Sequence, residues 1–326
     1  MKRIFLSLFL LLNTLLSFAQ MTSGLTGKRD TSYTNYSAYT STRKQHPDIK
    51  LVPEFRLSSV REQRNITYCT IGERKLLLDA FYPKKKSKQK TPAVLIIHGG
   101  GWRSGNRSQH IPLAQKLAAQ GYACFTAEYR LSTEALYPAA VHDLKAALRW
   151  LRANAKQFNL DTTRIAALGF SAGGELAAFI GTTNKNPQYE GENCHLNISS
   201  EVQAIVDIDG TLSFVHPESG EGNDTRSTSA ATYWFGYPKK DNYALWEEAS
   251  PLQHVGKNTP PILFLNSSVD RMHAGREDFQ QELNKHNIYS EVHAFPNAPH
   301  SFILFEPWFD PAVKYIADFL GKVFGK

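Results

Sequence analysis

Gly169-Phe170-Ser171-Ala172-Gly173 sets a serine between two glycines, after the apolar run RIAAL and before the helix-forming GELAAFIG. A sharp strand-to-helix turn lifts such a hydroxyl clear of its neighbours, and the flanking glycines remove side chains that would collide with adjacent elements. A serine at its ordinary pKa is a poor nucleophile, so Ser171 needs a base, and the base needs a group that fixes its tautomer. On this kind of scaffold the acid and then the histidine follow the serine, each on a loop after a later strand. His300, in PNAPHSF, is the expected base and Asp270, after PPILFLNSSVD, the expected acid. Asp207 and Asp209, ending VQAIVDIDG, are the rivals of Asp270. His293 lies inside the strand EVHAF, His254 precedes a strand and His273 falls before the last strand, so all three are poorly placed.

A second glycine cluster, HGGGW at 98–102, follows the apolar strand AVLIIH. Attack of a serine on an ester creates an oxyanion that needs two or more donors near 3 Å. Backbone N–H groups of Gly100, Gly101 and Ala172 are expected to supply them, glycine being needed where backbone must approach substrate closely. A phosphate loop would place Lys and Ser or Thr after its last glycine, and Gly105 is followed by Asn106 and Arg107. A dinucleotide fingerprint is also missing. One competing motif is DIDGT at 207–211, similar to the aspartyl nucleophile of haloacid-dehalogenase phosphatases, with Asp207 attacking and Asp209 as acid/base beside magnesium. In that family the motif opens the catalytic domain, whereas here about two thirds of the chain precedes it. A noncatalytic glycan-binding protein on a hydrolase-like fold is the alternative of another class.

The elements that must position these residues alternate. ITYCTIG and KLLLDAFYP pattern as a hairpin, and AVLIIH, YACFTAEYR, RIAALGF, VQAIVDIDG, PPILFLNSS and SEVHAF as strands separated by helical segments. In AAVHDLKAALRWLRANAKQF, Val141, Leu144, Leu148 and Leu151 recur at three- and four-residue steps, which predicts an amphipathic helix. Strands alternating with helices predict an α/β fold with a mostly parallel central sheet covered on both faces, its ligands at the carboxyl edge. The segments after the Ser171 helix and after Asp209 are too long for simple turns; the second, about 211–252, reads as a lid-like insertion.

The composition, 42% hydrophobic and 21% charged over 326 residues, is that of a globular chain. Residues 1–19 read as a signal peptide: Lys2 and Arg3, an apolar run too short to span a bilayer, and small residues before Gln20. This predicts a secreted or periplasmic protein without stable membrane association. Residues 20–55 read as an extended N-terminal arm and 56–326 as the catalytic domain. Formal net charge is +7, falling to +5 without Lys2 and Arg3. Much of the excess is the run PKKKSKQK, read as a solvated loop, with attraction to an acidic polymer as the sharper alternative. No aromatic interleaving points to nucleic acid. Three cysteines, Cys69, Cys124 and Cys194, allow at most one disulfide and match no metal motif, and neither a cofactor nor a metal is expected.

Taken together, HGGGW, AEYRLS, YPAAVHDLKAALRWLRANA, DTTRIAALGFSAGGELAA, the Asp270 strand and PHSF resemble α/β-hydrolase esterases of the hormone-sensitive-lipase-like type over roughly residues 65–325. The chain is most similar in look to secreted bacterial carbohydrate esterases, such as bifunctional feruloyl/acetylxylan esterases, and to esterase modules found beside pectinesterases. The resemblance implies the triad Ser171, Asp270 and His300 with the HGGGW backbone as oxyanion hole. It departs at Asp270, where Asn266 and Ser267 stand in place of a His-Gly pair. The implied activity is removal of O-acetyl groups from acetylated plant polysaccharide or oligosaccharide, acetylxylan first, with pectin deacetylation and feruloyl ester cleavage as alternatives. Trp102, Trp234 and Trp308 are then expected as sugar platforms, and Arg271 and Arg276 as partners of a uronic acid carboxylate.

Overall fold

The computed structural model describes residues 20–85 and 87–325, so the expected signal peptide lies outside the described residues. Strands are β1 (Lys50–Leu51), β2 (Val60–Ile71), β3 (Arg74–Pro83), β4 (Thr91–Ile97), β5 (Ala123–Ala127), β6 (Leu160–Phe170), β7 (Ala204–Ile208), β8 (Ile262–Asn266), β9 (Ser290–Ala294) and β10 (Phe305–Glu306). Helices are α1 (Asn35–Thr42), α2 (Ile111–Ala119), α3 (Ala139–Ala153), α4 (Ala155–Phe158), α5 (Ala172–Thr182), α6 (Ala230–Phe235), α7 (Tyr243–Glu248), α8 (Arg276–Lys285) and α9 (Phe309–Phe324).

The main sheet has the order β2-β3-β5-β4-β6-β7-β8-β9. Strand β3 runs against both of its neighbours, β2 and β5, and every pairing from β5 to β9 is parallel. Central strands bury both faces, which is why they read as unbroken apolar runs. In β4, Ala93, Leu95 and Ile97 join one apolar layer with α3, α5 and α8, while Val94 and Ile96 join the other with α2 and α9. The predicted stripe Val141, Leu144, Leu148 and Leu151 is buried along α3. The chain leaves β4 toward β5 on one side and returns to β6 on the other, so the sheet order reverses at β4. Ligand crevices form at such a reversal, and both glycine turns end there.

The insertion expected over about 211–252 sends four aromatic side chains into the core, while its stretch 216–229 stays half-buried or exposed. Phe214, Trp234, Phe235 and Trp246 are fully buried and pack tilted or edge-on against one another over the α5 side of the sheet. The N-terminal arm is built in as well. The Met21 N–H donates to Gly236 O (2.7 Å), the Gly105 N–H to Asp30 O (3.1 Å), and β1 pairs with β10. A disulfide joins Cys69 in β2 to Cys194 in the loop after α5, with Cα atoms 5.8 Å apart. Cys124 is buried in β5. Lys84, Lys85, Lys88 and Lys90 are exposed on the loop between β3 and β4.

Candidate active site

Ser171 stands between the end of β6 and the start of α5 with φ 57° and ψ −123°, a conformation costly for a residue with a side chain. Its surroundings leave little choice. A Cβ on Gly169 would lie 1.8 Å from Gly173 O, and one on Gly173 would lie 2.3 Å from Ile97 O, so strand, turn and helix close on one another only without side chains there. The Ser171 N–H donates to Ile208 O (2.8 Å), tying the elbow to the end of β7.

His300 reaches the serine from the loop after β9, with Nε2 2.8 Å from Ser171 Oγ. Its Nδ1 lies 3.0 Å from Oδ2 of Asp209, not of Asp270. Asp209 is the first residue after β7, fully buried, and its Oδ1 accepts the Ser267 N–H (2.8 Å). Asp270 is displaced from this role: it opens a short 3₁₀ turn, its side chain is 96% exposed, and His273 Nε2 lies 4.0 Å from its Oδ1. The physical reason is reach. Strands β7 and β8 are parallel neighbours with adjacent carboxyl ends, and Asp209 follows its strand at once, whereas Asp270 stands four residues beyond Asn266. Where related sequences were expected to carry a His-Gly pair, Asn266 is buried and its Oδ1 accepts from Arg276 Nη1 (2.7 Å). A visible signal was the aspartate directly closing an apolar strand in VDIDG.

The same geometry reassigns DIDGT. Asp209 is committed to His300 and Ser267, and Asp207 is buried with Oδ1 accepting the Gly210 N–H (2.8 Å). Burial pushes the Asp207 carboxyl well above its usual range, and neighbouring Asp209 pushes the same way. The motif therefore serves the histidine and the strand end, not a phosphoryl site.

The HGGGW turn faces the elbow. A Cβ on Gly99 would meet Phe170 O at 2.8 Å and Ser171 Cβ at 3.1 Å. Gly100 has φ 125° and would drive a Cβ to 2.0 Å from Ser104 O, so this position requires glycine. The Gly99 N–H is taken by Gln109 Oε1 (2.7 Å), while those of Gly100, Gly101 and Ala172 have no protein acceptor among the described residues.

The expected sugar platforms are elsewhere. Trp102 is buried, stacked on Trp234 at 4.9 Å and 7°, with its indole N–H donating to Glu175 Oε2 (2.9 Å). Both rings are core, because an aromatic flush against a second aromatic layer offers no free face. Trp308 precedes α9 and packs edge-on to His46 on the opposite apolar layer. Arg276 donates from Nη1 to Asn266 Oδ1 and from Nη2 to Glu277 Oε1, so its guanidinium already has partners within the protein. Arg271 stays half-exposed, 3.8 Å from Glu221. Burial pushes the Glu221 carboxyl up, against the pull of Arg271, Lys239 and His300.

Residues 78–277 match the BD-FAE family model, more than half of the chain. The chain belongs to the BD-FAE family. Its fold is that of the α/β-hydrolase esterases, as the sheet and elbow already indicated. Among relatives, it is 32% identical to Esterase LipC of Mycobacterium tuberculosis over 60% of this chain and 48% of that one. It is 26% identical to ethyl acetate hydrolase of Pseudomonas putida over 65% and 66% of the two chains. The matches span 48%, 61% and 50% of LipC, LipQ and LipM, so this BD-FAE chain covers about half the length of those relatives. Among solved structures, a truncated carbohydrate esterase from gut microbiota superposes with TM-score 0.70 at 24% identity, covering 85% of this chain and all of that one. An acetyl ester-xyloside bifunctional hydrolase of Caldicellulosiruptor lactoaceticus superposes with TM-score 0.63 at 25% identity, covering 77% and 89%.

Proposed function

We propose that this BD-FAE chain is an exported serine carboxylesterase that removes O-acetyl groups from plant cell-wall carbohydrate, acetylxylan above pectin or feruloyl esters. The observation that carries it is the chain of contacts Ser171 Oγ, His300, Asp209, facing the N–H groups of Gly100, Gly101 and Ala172.

His300 holds its proton on Nδ1, donating to Asp209, and Nε2 accepts the Ser171 hydroxyl. As Oγ bonds to the ester carbon, Nε2 takes the hydroxyl proton and the carbonyl oxygen becomes an oxyanion held by the waiting backbone donors. The imidazolium returns that proton to the departing sugar oxygen as the C–O bond breaks, leaving acetyl-Ser171. Water then attacks the acyl carbon, gives its proton to Nε2, and acetate leaves as Ser171 regains its hydrogen.

Carbohydrate as the alcohol is supported by the carbohydrate esterases among the structural neighbours and by the acetyl ester-xyloside hydrolase in particular. Export is supported by the leader pattern and by the Cys69–Cys194 disulfide, since such bonds persist in oxidising compartments. The test is acetate release from acetylated xylan and acetylated pectin beside ferulate release from a feruloyl ester, for the parent and S171A. Acetate from xylan, lost in S171A, is the expected result. Activity surviving in S171A overturns the nucleophile, and a folded parent inert on every ester overturns the esterase.

A further inference from the structure

Glu175 is a buried carboxyl that the mechanism above does not use. It lies in the first turn of α5, one turn beyond Ser171, and its own N–H donates to Ser171 O (3.0 Å). It is 1% exposed, and its Oε2 accepts the Trp102 indole N–H while Oε1 has no hydrogen-bond partner among the described residues. Burial pushes this carboxyl well above its usual range; the Trp102 N–H opposes that shift and the nearby Asp207 adds to it. A buried carboxyl kept at such a cost has a task that a packed apolar side chain would not perform.

The other end of the contact shows what the task is. Trp102 directly follows Gly100 and Gly101, and at φ 55° it holds a left-handed backbone that a bulky residue adopts only when its surroundings impose it. Its surroundings include the rings of Trp234 and Phe214, the Ser132 N–H donating to Trp102 O (2.8 Å), and the hydrogen bond to Glu175. Only the last comes from the helix that carries Ala172, the third oxyanion donor. The Glu175–Trp102 bond therefore bridges the two segments whose N–H groups must converge on one oxygen.

We infer that Glu175 is a positioning residue: through the Trp102 indole it sets the HGGGW turn against the nucleophile helix and so fixes the oxyanion hole. The inference rests on the esterase reading of Ser171. What Glu175 supplies is an acceptor oxygen, so Gln serves in its place and Ala does not.

The experiment compares E175A, E175Q, W102F and E175A/W102F on p-nitrophenyl acetate, with thermal melting of each. W102F keeps the ring stack and deletes the donor. Because the oxyanion is bound in the transition state, E175A and W102F are expected to lower kcat about 10- to 100-fold with KM within about threefold of the parent. The double variant is expected to be no worse than the poorer single one, since both remove the same bond. E175Q is expected to restore kcat to within about threefold. Parent kcat in E175A, additive losses in the double variant, or a Gln no better than Ala overturns the inference. If E175A does not fold, W102F against E175Q decides. If the folded parent cleaves no ester, the esterase reading falls by itself, and the bond is read from the Trp102 indole N–H resonance, assigned with W102F. That resonance is expected to move in E175A and return in E175Q; an unmoved resonance overturns the bond.

Discussion

Asp209 meets His300 because a side chain that closes a central strand is already at the sheet's carboxyl edge, buried, and held by the Ser267 N–H. Replacing it with Asn reverses the hydrogen-bonding partner of Nδ1 and leaves the imidazole in the wrong tautomer, so D209N is expected to lower kcat by roughly 10⁴. D270N, altering a solvated side chain, is expected to stay within about twofold of the parent. Steady-state kinetics on a nitrophenyl ester separates them; the reverse order would return the acid to Asp270. Two buried histidines act on stability instead. His98 stacks on Tyr129 at 4.5 Å and is pushed by burial down to about 4, while His110 is pushed by burial down to about 3. Folded pKa values below the unfolded one mean that the unfolded chain binds more protons as pH falls. The stability these groups confer is thus complete above about 6.5 and drains away as pH drops toward 4 and 3. Urea midpoints measured from pH 7.5 to 4.5 are expected to fall with pH, and H110Q is expected to flatten that slope.

At the scale of elements, the elbow is a contact between backbones. Gly173 of α5 lies against Ile97 O of β4, so G173A forces helix and strand apart instead of displacing a flexible side chain. A loss of about 1–3 kcal/mol is expected, with melting temperature falling before any kinetic effect is read. The insertion after Asp209 behaves as a packing element: α6 brings Ala230 against Gly101, where a Cβ would stand 3.0 Å from Ala230 Cβ, and Trp234 under Trp102. Of its aromatics, Trp234 was expected from the sequence as a sugar platform and is core instead. The choice depended on which faces the second layer covered, and a linear pattern does not carry that information.

Across the whole molecule, long-range ties hold the sheet's edge and the arm in place. The Cys69–Cys194 bond closes a separation of 125 residues, linking β2 to the loop after α5. C69S is expected to cost about 2–5 kcal/mol, seen as a lowered denaturation midpoint, and reducing agent is expected to lower the parent alike. The arm binds the segment after HGGGW at Gly105, the insertion at Gly236 and the His300 loop through Thr42 and Ser301, whose hydroxyl oxygens lie 3.1 Å apart. Deleting residues 20–45 is expected to lower both melting temperature and kcat; an unchanged kcat would show that the arm acts on stability alone.

By itself the sequence determined the alternation of strand and helix, the two glycine turns at strand ends, and the Ser171 and His300 positions. The elements are written in local periodicity, the glycine turns in backbone conformations and close approaches that other residues do not tolerate, and Ser171 and His300 in their places after strands. It also limited the acid to aspartates that follow strands. Tertiary structure alone decided among those, because adjacency of β7 and β8 at the carboxyl edge is a property of strand order. The same holds for Trp102: its neighbour in sequence is Gly101 of the HGGGW turn, but its neighbours in space are Trp234 and Glu175, and burial between them decides what it can do.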